Sequence, residues 1–159
     1  MESIYLETSF FSYLTAKPSL NIIANARQQI TQNWWGNESK KYNLYISEFV
    51  IAEAQRGDKE ASELRINFIK NNDIQILNIS DECISLAEKL FKEIKFPINA
   101  QDDALHIAIS IFNKSDYLLT WNCRHIANAH FIKKILHYCE KHSLVYSQIC
   151  TPEEMTQEE

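Results

Sequence analysis

Apolar residues are spaced along this chain with two alternating periods. Short runs rich in β-branched and aromatic residues, each bounded by polar positions, read as buried strands: Ile4-Tyr5-Leu6, Leu44-Tyr45-Ile46, Ile74 to Ile79, Tyr117 to Thr120 and Leu144 to Ile149. Between them apolar residues recur at every third or fourth position, which predicts helices. Thr8 and Ser9 can cap a helix carrying Phe10, Phe11 and Leu14. A second helix runs from Asn21 to Trp35, with Ile23, Ala26, Ile30 and Trp34 at helical spacing, and stops at Gly36. Ser47 is placed to cap a helix reaching about Arg56, and Glu60 to Asn71 repeats the period through Ala61, Leu64, Phe68 and Ile69. Ser80 opens a helix with Cys83, Ile84, Ala87, Leu90, Phe91 and Ile94 on one face, which must finish before Pro97. Two more follow, from about Gln101 to Asn113 and around His130 to His142.

Alternation of strand and helix predicts an α/β chain. The expected architecture is a three-layer α/β/α sandwich with a central, mostly parallel sheet of four to five strands and any site at the strands' carboxyl ends. Only two glycines and three prolines interrupt the chain, which suits long helices and disfavours an all-β sandwich. Its 159 residues, 45% of them hydrophobic, support one domain over residues 1–150. The acidic end, 151–159, lacks an apolar period and is expected to be a disordered tail.

Composition narrows the function classes. A net charge of −5 argues against a broad, non-specific nucleic-acid binder, although a local basic patch is compatible with it. Apolar stretches such as Ala104 to Phe112 fall short of the ~20 residues needed to span a bilayer, so a cytoplasmic protein with no membrane contact is expected. The four cysteines, at positions 83, 123, 139 and 150, form no CxxC pair and read as reduced thiols. All five histidines fall in the last third, but their spacing with these cysteines fits no common zinc pattern. No GxxxxGK[ST] loop for a nucleoside triphosphate occurs. A phosphatase of the haloacid-dehalogenase type would need paired aspartates where Glu7 and Ser9 stand.

The polar positions at the strand ends carry the chemistry. Glu7 ends the first strand. Glu53 lies three and four residues beyond Val50 and Phe49, on their helix face, and a carboxylate there needs either an ionic partner, Arg56 or Arg27, or a metal. Asp102 and Asp103 open the helix that carries Leu105, Ala108, Ile109 and Phe112; Asp102 reads as the cap and Asp103 as the functional residue. Asn122 follows the fourth strand at the same edge. Asp116 precedes that strand, four or five residues earlier, which puts it roughly 13–16 Å away at the opposite edge. Three carboxylates crowded in a ring would raise one another's proton affinity unless a cation neutralised them, and oxygen ligands suit Mg²⁺ or Mn²⁺.

These residues sit in a larger pattern. IYLETSFFSYL near the start, ISEFVIAEAQRGD at 46–58, QDDALHIAIS at 101–110 and LLTWNCRHIAN at 118–128 resemble, in order, the PIN-domain family and particularly its VapC-like toxin branch. The resemblance implies an Mg²⁺- or Mn²⁺-dependent endoribonuclease, the toxin of a type II toxin–antitoxin pair, in which a ring of acids binds metal and activates water. By motif, Glu7 matches the family's first aspartate, Glu53 its glutamate, Asp103 the aspartate before Ala104-Leu105-His106, and Asn122 the fourth acidic position. Thr8 and Thr120 match hydroxyl positions near the metal, while His106, alone on an apolar helix, reads as a packing residue. Arg56, Lys59 and Arg124 are candidates for holding substrate.

Two positions depart from the pattern. Glu7 carries its carboxylate roughly 1.5 Å further from the strand than an aspartate would, and Asn122 removes one negative charge. The competing reading is therefore a degenerate PIN domain that binds or regulates without turnover. The resemblance also implies a homodimer, and an antitoxin whose segment covers the acidic site. Phe10, Phe11, Tyr13, Trp34 and Trp35 are candidates for such a patch, with core burial the commoner fate of aromatic residues.

Overall fold

The chain is described by a computed structural model over residues 1–157. Five parallel strands make one sheet: β1 (Ser3–Leu6), β2 (Asn43–Ser47), β3 (Gln75–Leu77), β4 (Tyr117–Leu119) and β5 (Gln148–Cys150), in the order β3-β2-β1-β4-β5. Parallel strands need crossovers, and helices supply them. On one side α1 (Thr8–Thr15) packs against α2 (Ile22–Asn37), α3 (Glu48–Ala54) and α4 (Lys59–Lys70). Beyond β3, α5 (Asp81–Ile94) packs against α6 (Gln101–Phe112) and α7 (Ala129–Lys141). The three-layer α/β/α expectation holds. No helix among the described residues is long and apolar enough to cross a membrane.

Strand order reverses at β1, whose neighbours are β2 on one side and β4 on the other. The crevice beyond the carboxyl ends of β1 and β4 is therefore the place where such a sheet opens to a ligand. Register fixes what reaches it. Leu6 pairs with Leu119, so Glu7 and Thr120 leave the sheet side by side. Asp116 is held at the other end, where its carboxylate accepts from the Ser3 N–H at 2.7 Å and the Ser3 hydroxyl at 2.8 Å.

Local signals explain most helix starts. Ser47 and Ser80 accept hydrogen bonds from Val50 N and Cys83 N, both at 3.2 Å, and cap α3 and α5 as their positions imply. Replacing Ser80 with alanine removes that bond and is expected to cost about 1 kcal/mol. A thermal melt should show this as a fall of about 2–4 °C. The C-terminus of α5 comes at Ile94, where Lys95 turns left-handed (φ 61°) ahead of Pro97. Two caps differ from expectation. Glu7, rather than Thr8 or Ser9, caps α1, because the strand-end carboxylate curls back onto the Ser9 N–H. Asp102 does not cap α6; Ala100 stands at that position, and Asp102 faces Arg56 across 3.9 Å at the surface.

The buried stripe of α2 also differs. It is Gln28, Thr31 and Trp34, two of them polar, while Ile23 is 66% exposed, because Gln28 and Thr31 find internal partners in Lys17 O and the Trp121 indole. Near the end of the chain, residues 151–157 do not form the disordered tail that composition suggested. Glu153–Met155 makes a 3₁₀ turn and Met155 is buried in the core. Pro152 and Met155, both buried, dock a short segment that has no period to announce it. The last two residues of that expected tail lie outside the described ones.

Candidate active site

Glu7 leaves β1 with its backbone N–H donating to Leu119 O at 3.0 Å, which extends the β1–β4 pairing by one residue. Its carboxylate is buried, at 6% exposure. Oε2 accepts from the Ser9 hydroxyl, from Ser9 N at 3.1 Å and from the Thr120 hydroxyl at 2.7 Å. The extra methylene relative to aspartate is taken up by this curl over the first turn of α1. Oε1 faces the other way, 3.8 Å from His106 Nε2.

Glu53 reaches the same place from α3. Its Oε1 accepts from the Thr8 hydroxyl at 2.6 Å and meets His106 Nε2 at 2.5 Å, so its partner is His106 and neither Arg56 nor Arg27. The buried His106 is also held at its second nitrogen, with Nδ1 2.9 Å from the Tyr5 hydroxyl, which in turn lies 2.9 Å from the Ser47 hydroxyl. Burial alone would push the imidazole pKa down. The bond from Glu53 and the charges of Glu7, Glu53 and Asp103 outweigh that and raise it above its ordinary value. Burial likewise acts to raise the Glu53 pKa, but the hydrogen bond and charge of His106, with Thr8, bring it below the usual carboxylate value. The Tyr5 hydroxyl, desolvated beside these acids, stays a phenol with its pKa well above 10.

Asp103, in the first turn of α6, is fixed from the loop after β4. Its Oδ1 accepts from the Asn122 amide at 2.8 Å and its Oδ2 lies 2.8 Å from His125 Nδ1. Asn122 is oriented by its own loop: its Oδ1 accepts from Arg124 N at 3.2 Å and His125 N at 3.0 Å, and its N–H donates to the Thr120 hydroxyl at 2.9 Å. Backbone N–H groups can point only at an acceptor, so the side-chain carbonyl is turned toward the loop and the NH₂ toward Asp103. In this arrangement the Asn122 NH₂ holds the Asp103 carboxylate and its carbonyl is engaged by the loop.

The residues brought closest are Glu7, Glu53 and His106, whose ligand-type atoms all lie within 4.8 Å of one another. Asp103 is not in that tight group but is near enough for its charge to act on His106. Thr8 and Thr120 arrive as donors to Glu53 and Glu7. Three participants escaped the sequence reading: Ser9 and His125, which support carboxylates, and His106, which is a satisfied core residue but one bonded to the site. The spacing of Asp103 and His106, three apart on one helix, puts both on one face and was the available signal.

The donor set suits a hard divalent cation. Glu7 Oε1 and Glu53 Oε2 accept no hydrogen bond among the described residues, so each keeps an oxygen for a ligand while its twin is anchored. Carboxylate oxygens of this kind are the ligands that Mg²⁺ and Mn²⁺ prefer.

The chain matches a PIN domain model over residues 4–129, which includes all four expected ring positions. The chain belongs to the PIN-domain family. No curated protein sequence matches it. Among solved structures, this PIN domain resembles VapC20 of Mycobacterium tuberculosis, described as a sarcin-ricin loop cleaving toxin. That match has 16% identity and a TM-score of 0.57, covering 76% of this chain and 91% of that one. It also resembles VapBC2 of Rickettsia felis, solved bound to a promoter DNA fragment. There the identity is 16% and the TM-score 0.59, over 94% of this chain and 98% of that one. At this identity the likeness concerns the fold.

Proposed function

We propose that this PIN domain is a metal-dependent endoribonuclease that hydrolyses RNA phosphodiester bonds, and that it is the toxin of a toxin–antitoxin pair. The observation that carries the reading is the convergence of Glu7, Glu53 and Asp103 at the switch point of the sheet, each held by its own donors. Glu7, Glu53 and Asp103 would hold Mg²⁺ or Mn²⁺. Such an ion, when bound, lowers the pKa of coordinated water and offsets charge on the scissile phosphate.

The protein's own groups set up that chemistry. Ser9 and Thr120 fix one oxygen of Glu7, while Thr8 and His106 fix one oxygen of Glu53. Asn122 and His125 fix both oxygens of Asp103. Groups held in this way need no reorganisation when a ligand arrives.

A cytoplasmic location, a homodimer and an antitoxin partner complete the proposal, the last supported by the likeness to VapBC2. Of the expected aromatic set, Phe10, Phe11 and Trp34 are buried and only Tyr13 and Trp35 stay partly exposed for such a partner. Leu20, Ile22 and Ile23, exposed by 103, 86 and 66%, add apolar surface to them.

The first test is thermal. A cation that binds only the folded state at a concentration of about 100 Kd adds about 2.7 kcal/mol. Mn²⁺ is therefore expected to raise the melting temperature by roughly 5–10 °C, reversed by a chelator. No rise, together with no cleavage of total RNA, would favour a non-catalytic binding module.

A further inference from the structure

Acidic residues are distributed unevenly in this chain. Of the 21, none falls within residues 8–37 or 117–139, so every negative side-chain charge is carried elsewhere. These two stretches include α1, α2, the loop after β4 and most of α7, and from them Thr8, Ser9, Thr120, Asn122 and His125 reach the carboxylates. They hold Lys17, Arg27, Arg124, Lys133 and Lys134. A face without acids beside a site built of acids points to a polyanion that must approach it.

Arg27 is placed for that purpose. Its guanidinium lies 5.2 Å from the Trp121 ring and 5.8 Å from the Tyr13 ring, with Nη1 3.3 Å from the Tyr13 hydroxyl, and among the described residues it has no carboxylate partner. Three other cations are already paired: Lys17 with Glu60 at 2.6 Å, Arg56 with Asp102 at 3.9 Å and Lys59 with Glu63 at 4.0 Å. Stacking on rings holds a guanidinium still and leaves N–H groups for a phosphate. The rings are themselves tied to the site. The Trp121 indole donates to the Thr31 hydroxyl at 2.7 Å, and its backbone N–H donates at 2.8 Å to the Ser9 hydroxyl that supports Glu7.

The same loop continues to a second cationic place. His125, which holds Asp103, meets the Phe131 ring at 6.0 Å, and Lys134 lies over that ring at 5.7 Å. From there a groove between the end of α5 and α7 is lined by Lys95, His130, Lys133, Lys134 and His137. Its one carboxylate, Glu93, is taken by Lys141 at 2.6 Å and His142 at 3.0 Å.

We propose that a single RNA strand lies along this acid-free face, with Arg27 holding a phosphate on one side of the carboxylates and Lys133 and Lys134 holding phosphates on the other. The proposal rests on the ribonuclease reading and adds the path of the strand. Cations at two separate places beside the carboxylates match the repeating charge of a nucleic-acid backbone, which a single ion pair to a protein partner would not require.

The test is the salt dependence of binding by Glu53→Gln, which retains RNA without cutting it, using a fluorescein-labelled single-stranded RNA of mixed sequence. Each phosphate contact removed should lower the slope of log K against log salt by about 0.7. Arg27→Gln should lose about 0.7 and the Lys133→Gln/Lys134→Gln double variant about 1.4, while Arg27→Lys keeps its slope and Lys59→Gln is unchanged. Circular dichroism verifies that each variant is folded. If RNA binds and these slopes do not move, the path is wrong and the ribonuclease reading stands. If the parent binds no RNA even at low salt, the ribonuclease reading fails and takes the path with it. Competition by polyglutamate as effective as by RNA would assign the face to an acidic protein segment and overturn the proposal.

Discussion

Glu53→Gln is expected to abolish Mn²⁺-dependent RNA cleavage while preserving the fold. Glutamine has nearly the same size, and its carbonyl can still accept from the Thr8 hydroxyl that now bonds Glu53 at 2.6 Å. What it lacks is the charge and the second oxygen, the one that accepts no hydrogen bond among the described residues. Residues that merely orient a metal ligand typically cost 10–100-fold when removed, so a ligand itself should cost about a hundredfold or more. That corresponds to roughly 2.7 kcal/mol of transition-state stabilisation. The Mn²⁺-induced rise in melting temperature should disappear with it. Cleavage by the variant at the parent rate would mean that Glu53 belongs to the His106 bond alone, or that the activity came from a contaminant.

Phe10→Ala should produce the largest loss of stability. Phe10 is fully buried at the start of α1, edge-on to Phe11 at 5.4 Å and to Trp34 at 5.5 Å, with Trp35 at 6.2 Å. Truncation removes the transfer energy of the ring and leaves a cavity among rigid neighbours that cannot collapse into it, a cost of about 3–5 kcal/mol. For a domain of this size the melting temperature should fall by roughly 6–20 °C. The control is Phe112→Ala at the end of α6, where the side chain is 41% exposed and the effect should be well below that of Phe10→Ala. Comparable losses at both positions would show that α1 does not anchor the first helical layer. Because α1 begins on the carboxylate of Glu7, this variant should also weaken Mn²⁺ binding, which the same melts would report.

The parts of the site that were legible in the sequence share a cause. Glu7, Glu53 and Asp103 each sit beside an apolar stretch whose period fixes the face or end from which they project. Knowing that the sheet is parallel is then enough to send them to one edge. The parts that were not legible depend on distant partners. His106 reads as a lone polar residue in an apolar helix until Glu53, 53 positions earlier, comes within 2.5 Å. Asn122 matched a ligand position, yet its orientation is dictated by two N–H groups of its own loop, which no spacing rule specifies. The capping role of Glu7 was hidden for a similar reason: Thr8 and Ser9 are better cap residues by type, but Ser9 is needed by Trp121 and Glu7.

Local pattern along the chain was enough for the alternation of strands and helices, the Ser47 and Ser80 caps, the opposite-edge position of Asp116 and the three carboxylates. All of these follow from periods and chain directions within a dozen residues. Packing between distant segments set which oxygen of Glu7 and of Glu53 is anchored, that His106 and His125 serve the site, and that Arg27 lies over Trp121 with no carboxylate partner among the described residues. It also decided that Ile22 and Ile23 face outward and that Met155 folds back into the core. These outcomes turn on contacts between segments far apart in the chain. There burial, charge pairing and hydrogen-bond satisfaction are settled together by packing, and no local pattern carries that information.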